Sequence, residues 1–153
     1  MKKAVIGIAM SILALVGVAV DAPAASAGTI QKHLPPGWQW TTRADCERGR
    51  LVGWHRLAGP YGTYQGRDYF YVRNNRLCVF TVDHLAGAHV IDLSFRTSHT
   101  GPYGWDLGNY NEYAGAARAP KNRCITVQGE VQVKHPRSTW DYSEKPFTRC
   151  IGS

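Results

Sequence analysis

After its first 27 residues the chain has no stretch of sustained helical periodicity, no internal repeat and no low-complexity tract. Helical and repeat architectures are thereby set aside, and the fold has to be built from extended segments. There is no Cys-x-x-Cys pair, so a zinc knuckle or a thioredoxin-like redox site has no support. Gly-x-Ser-x-Gly, His-Glu-x-x-His and a phosphate-binding loop are also missing, and with them the signatures of common hydrolases, zinc proteases and nucleotide enzymes. No metal and no cofactor is expected. The arginines are scattered from Arg43 to Arg149 without a run of adjacent basic residues, so no segment marks a dedicated basic patch.

What the chain does have begins with a leader. Lys2 and Lys3 precede an apolar run from Ala4 to Val20, and Ala25-Ser26-Ala27 supplies a small-x-small cleavage pattern ahead of Gly28. The run is shorter than the roughly 20 residues a spanning helix needs, and it stops at Asp21. Residues 1–27 therefore read as a cleaved secretory signal peptide, 28–44 as an N-terminal arm and 45–153 as a single β domain. A secreted protein without a membrane anchor is the expectation. The formal charge of +7 favours anionic surroundings such as cell-wall polymers, without specific nucleic-acid recognition.

Four cysteines, Cys46, Cys78, Cys124 and Cys150, lie beyond the leader, and an even number in an exported domain reads as two disulfides. Spacing alone does not choose among the three pairings. We expect Cys46 with Cys78 and Cys124 with Cys150, because each joins a strand to one close in sequence.

The strand pattern is clearest in the middle. Asp68 to Val72 and Leu77 to Val82 are rich in Tyr, Phe and Val, and Asn74-Asn75 between them accept positive φ, which predicts a hairpin. Both faces of the second strand are apolar, so it should lie centrally between two packed layers. His89 to Thr97 alternates as a half-buried strand does. Leu51 to Leu57 and Phe147 to Ile151 read as further strands, and Arg123–Gln128 with Val131–Lys134 as a second hairpin turning at Gly129-Glu130. Leu34-Pro35-Pro36-Gly37 makes the arm extended, with Trp38 and Trp40 alternating as on an edge strand, and Asp45 to Gly49 has room for one helical turn. The class is all-β: a small sandwich or barrel of about seven short antiparallel strands with two disulfides.

The stretch with the most individuality runs from Trp105 to Ile125. Gly108-Asn109 and Gly115 predict two tight direction changes around Tyr110 and Tyr113. The pattern D-x-G-N-Y-x-x-Y-A-G (Asp106, Gly108, Asn109, Tyr110, Tyr113, Ala114, Gly115), followed by Cys124, Ile125 and Gly129, resembles the spore-associated protein A family, small secreted four-cysteine proteins of actinomycete-type bacteria. The likeness extends more loosely from Cys46 to Cys150, and Ala116-Ala117 departs from its Pro-Val. The resemblance implies association with the cell or spore surface and no catalytic role. We expect the motif residues to be scaffold, with Tyr110 and Tyr113 packed as an aromatic corner.

Raw material for catalysis exists in His84, His89 and His99 with Arg96 and Glu112, which a secreted ribonuclease-like hydrolase could use if they converged. Loop aromatics, among them Tyr103, Trp105, Tyr110 and Tyr113, suit either a core or a sugar-binding surface. The loop Ser98 to Tyr103 would serve a secreted inhibitor. No catalytic residue is assigned, and the expected role is binding at a surface.

Overall fold

Gly129 explains how the layers meet. It lies inside an unbroken strand, and a Cβ there would come within 2.8 Å of the Thr81 hydroxyl, which belongs to the facing sheet. Thr81 Oγ1 donates to Asp68 Oδ1 over 2.6 Å, both residues being buried, and the missing side chain makes room for that pair. The expected turn at Gly129-Glu130 is thus corrected: glycine serves close approach and not reversal.

The computed structural model describes residues 30–58, 64–97, 100–121, 123–132, 142–143 and 145–151. The leader lies outside them, as do Ser98, His99 and the expected strand end at Val133-Lys134. The elements are β1 (Gln31–His33), β2 (Gln39–Trp40), α1 (Arg43–Glu47), β3 (Arg50–Ala58), β4 (Tyr64–Arg73), β5 (Arg76–Asp83), β6 (His89–Thr97), β7 (Gly104–Tyr110), β8 (Tyr113–Arg118), β9 (Ile125–Val131), β10 (Tyr142–Ser143) and β11 (Phe147–Arg149). One sheet has the order β1-β7-β6-β9-β10, with β11 also on β9; the other has β2-β8-β5-β4-β3. Ile91, Leu93, Phe95 and Val127 of the first meet Leu57, Phe70, Leu77 and Val79 of the second in one core. This is the expected all-β sandwich with two disulfides, its seven longer strands being β3 to β9.

Local chemistry accounts for the parts that were legible. Asn74 and Asn75 hold φ of 50° and 59°, so β4 and β5 close in register from Arg73 opposite Arg76. β5 is central in its sheet and apolar on both faces: Leu77 and Val79 enter the main core, while Cys78, Phe80 and Val82 enter a second cluster with Cys46 of α1. Thr42 caps that short helix, its hydroxyl accepting from the Asp45 N–H at 3.1 Å. The Cys46–Cys78 disulfide fastens the helix to β5, closing 32 residues. Cys124–Cys150, closing 26 residues, follows directly on the β9–β11 pairing of Ile125 with Arg149. Both pairings are those expected.

The expected arm is woven into both sheets. β1 pairs with β7 and β2 with β8, and Trp38 is buried against Phe95, ring centroids 4.4 Å apart. Arg76 clamps this segment by donating to the carbonyls of Ala119 (2.8 Å) and Gly37 (3.2 Å) and to Gln39 Oε1 (2.9 Å). Gly108-Asn109 is not a direction change, a second correction. Both residues lie within β7, and the chain crosses between sheets at Asn111-Glu112. Gly115 does redirect the backbone: with φ +89° and Ala116 at φ 68° it makes a bulge on β8 opposite Val79 and Phe80.

Candidate functional site

The crossing from β7 to β8 brings the motif residues together around one carboxylate. Asp106 is buried on β7. Its Oδ2 accepts from the Gly115 N–H at 2.7 Å and faces Lys32 Nζ at 3.0 Å, and its Oδ1 accepts from the Tyr110 hydroxyl. Burial first and the bond to Asp106 second raise the Tyr110 pKa. Lys32 Nζ also lies 5.4 Å from the Trp40 ring centroid and 5.5 Å from that of Tyr110, within cation–π range. Asp106 thereby joins β1 and β7 of one sheet to β8 of the other. Gly108 sits under the Tyr110 ring, and Ala114 is buried. Asn109 is half-buried on the opposite face of β7, and Tyr113 packs against Phe80 in the second cluster.

Beside this junction lies an open pocket of about 410 Å³ lined by Lys32, Thr41, Asp106, Tyr110, Asn111, Glu112, Tyr113 and Gly115. Its lining mixes one ammonium, two carboxylates and several hydroxyls. Both oxygens of Asp106 are engaged, which suits a structural tie better than a general base.

The histidine set does not assemble among the described residues. His89 Nδ1 lies 2.6 Å from Asp83 Oδ2, and Asp83 Oδ1 accepts from the Leu85 N–H at 2.8 Å. That pair fastens the β5–β6 connection. Arg96 is seven residues further along β6, about 23 Å away and on the opposite face of the strand, where its guanidinium lies 4.5 Å from the Tyr103 ring. His84 is exposed in the β5–β6 loop, its pKa lowered by partial burial and then by Arg67. Glu112 stands at the β7–β8 turn, and His99 is outside the described residues.

The feature missed in the sequence is a basic face. Arg56 on β3 and Arg67 on β4 are directly opposed in register, and Trp54, 48% exposed, has the Arg67 guanidinium 4.4 Å from its ring. Arg73 shares the face of Tyr69 and Tyr71, and Arg118 is paired opposite Cys78 on the same side. The carboxylates of β4 and β5, Asp68 and Asp83, are buried in the sandwich. α1 roofs only the Cys78–Phe80 part, and its arginines are matched by its own acids: Arg43 to Glu47 at 2.8 Å, Arg48 to Asp45 at 2.9 Å. Hairpin register was the available signal. Once Asn74-Asn75 is the turn, residues 67, 69, 71 and 73 share one face.

No helix among the described residues is long and apolar enough to cross a membrane. No model of a known protein family, no curated protein and no solved structure matches the chain.

Proposed function

We propose that this protein is an exported, non-catalytic binding protein that attaches to the cell or spore surface by holding anionic polymers on the outer face of the β2-β8-β5-β4-β3 sheet. The observation that carries the reading is the facing pair Arg56 and Arg67 with the exposed Trp54 ring beside them. A phosphate- or carboxylate-bearing chain lying across β3 and β4 meets both cations and can rest an apolar edge on the indole. Two disulfides brace such a domain for an oxidising exterior. The resemblance of the Asp106–Gly129 pattern to spore-associated proteins agrees with a surface role.

The test is retention of the protein on a polyphosphate or heparin column. Binding should weaken steeply between about 50 and 200 mM salt. Arg56→Gln with Arg67→Gln should lower affinity and reduce the magnitude of the salt slope by about two, one for each phosphate contact removed. Retention indifferent to salt, or untouched by the double substitution, would remove this face from the function.

A further inference from the structure

The outer face of the β1-β7-β6-β9-β10 sheet has a different chemistry. Its registers place His33, Trp105, Ser94 and Gln128 in one row across four strands, all on the outward side. His33 stacks on one face of the Trp105 indole, centroids 4.4 Å apart and planes 26° from parallel, and the indole remains 38% exposed. On the indole's other side the residue paired with it on the neighbouring strand is the small Ser94, and Gln128 stands on the strand beyond. Two strand spacings are about 9.5 Å. A ring in van der Waals contact on both faces needs roughly 7 to 8 Å, so the gap over Ser94 admits one saturated or aromatic ring.

The flanks of that gap are polar. Two residues along each strand, Asp92 on β6 lies opposite Glu130 on β9, and Asp92 Oδ1 is buried without a hydrogen-bond partner. On the other flank is Arg96 of the same strand. A carboxylate pair, an amide and a guanidinium around an exposed indole are groups that bond vicinal hydroxyls while the ring takes the apolar face of a pyranose. The two carboxylates repel a polyanion, so the occupant of this face differs from that of the basic face.

We propose that this face is a second binding site, for a pyranose unit of an uncharged glycan, with the sugar stacked on Trp105 over Ser94 and its hydroxyls bonded to Asp92, Gln128 and Glu130. Burial first, and then Glu130 and Asp106, push the Asp92 carboxyl up to about 6. Below that pH it can donate to a sugar oxygen as well as accept.

The experiment uses the full exported chain on insoluble chitin, β-1,4-glucan and β-1,3-glucan, with indole fluorescence on the matching soluble oligosaccharides. The protein should be retained on at least one of these, and about 500 mM salt should leave retention unchanged because no counterions are released. Trp105→Ala and, separately, Ser94→Phe, which fills the gap while keeping the indole, should each weaken binding about tenfold or more. Trp54→Ala and the Arg56→Gln/Arg67→Gln pair should leave it intact, which separates this site from the polyanion face. The proposal fails if none of the three polymers retains the protein, or if Trp105→Ala and Ser94→Phe both bind as the parent does. It also fails if retention follows the arginine substitutions, or if soluble reducing ends appear, which would make the face a cleavage site.

Discussion

The second sheet hides much of its outer face, while the first leaves its own bare of any covering element among the described residues. β5 is apolar at successive positions, so after Leu77 and Val79 enter the core it still has Cys78, Phe80 and Val82 to bury; α1 with its disulfide covers the Cys78–Phe80 part, and Tyr69, Tyr71 and Tyr113 pack against the cluster. β6 alternates strictly, with Ile91, Leu93 and Phe95 inside and Asp92, Ser94 and Arg96 outside. Apart from the half-buried Val90, its outward side is polar and needs no roof. The difference shows how a strand's second face decides what the surface beyond it becomes: an apolar face recruits a cover and leaves arginines at its margin, whereas a polar face stays open as a platform.

The contrast exists only while the sheets stand back to back, and Asp106 is the residue to remove in order to break it. Asp106→Ala takes their shared partner from the Lys32 ammonium, the Tyr110 hydroxyl and the Gly115 N–H at the crossing between sheets. The Lys32 side chain is 41% exposed and returns to water, so the cost lies in the Gly115 N–H and the Tyr110 hydroxyl, at about 1 to 3 kcal/mol for each polar group left unsatisfied, a large share of a domain's stability. Urea unfolding should show that loss, with Asp106→Asn less damaged. A loss under about 1 kcal/mol would mean the two sheets are held by the apolar core alone.

The disulfides sharpen the comparison, because their loops are similar in length while their surroundings are not. Chain entropy assigns each about 3 to 4 kcal/mol. Cys46→Ser/Cys78→Ser should in addition loosen α1 and expose Phe80, which stacks on Tyr69 and Tyr71. Cys124→Ser/Cys150→Ser frees only the end of the β9–β11 ladder. Dye binding to exposed apolar surface should therefore rise for the first pair and stay near the parent for the second. Equal dye binding would show that the roof over β5 holds without its covalent fastening.

What the sequence disclosed, and what it withheld, divides along the same line. Strands whose identity rests on their own residues were legible: β6 has the bounds that alternation predicts, and the β4–β5 hairpin follows from Asn74-Asn75. Gly129 and Gly108 misled because their reasons lie elsewhere in space, in the Asp68–Thr81 pair of the facing sheet and in the Tyr110 ring. Asp106 was singled out as a motif residue, but its three partners come from β1, β7 and β8, and only the fold assembles them. Arginines scattered along the chain looked unpatterned until pairing put Arg56 opposite Arg67.

The smallest expected effect tests whether the open face is under electrostatic tension. Asp92 faces Glu130 across the β6–β9 ladder and Leu107 across the β6–β7 ladder, with Asp106 contributing through the sheet. Its carboxyl is pushed up to about 6, from about 3.9 in an unfolded chain. Between those values the folded protein keeps a proton that the unfolded chain releases, so stability falls as pH rises from about 4 to about 6 and then levels off. Water screens this half-buried side chain, so the loss should be roughly 1 kcal/mol and not the full value of the shift. Asp92→Asn abolishes that slope and should be the more stable protein at pH 7.5, with parity restored near pH 4. Denaturant unfolding of both proteins at the two pH values makes the comparison, and a parental stability that rises or stays level across this window, once other carboxylates are cancelled by the Asn variant, would leave the Asp92–Glu130 pair without tension.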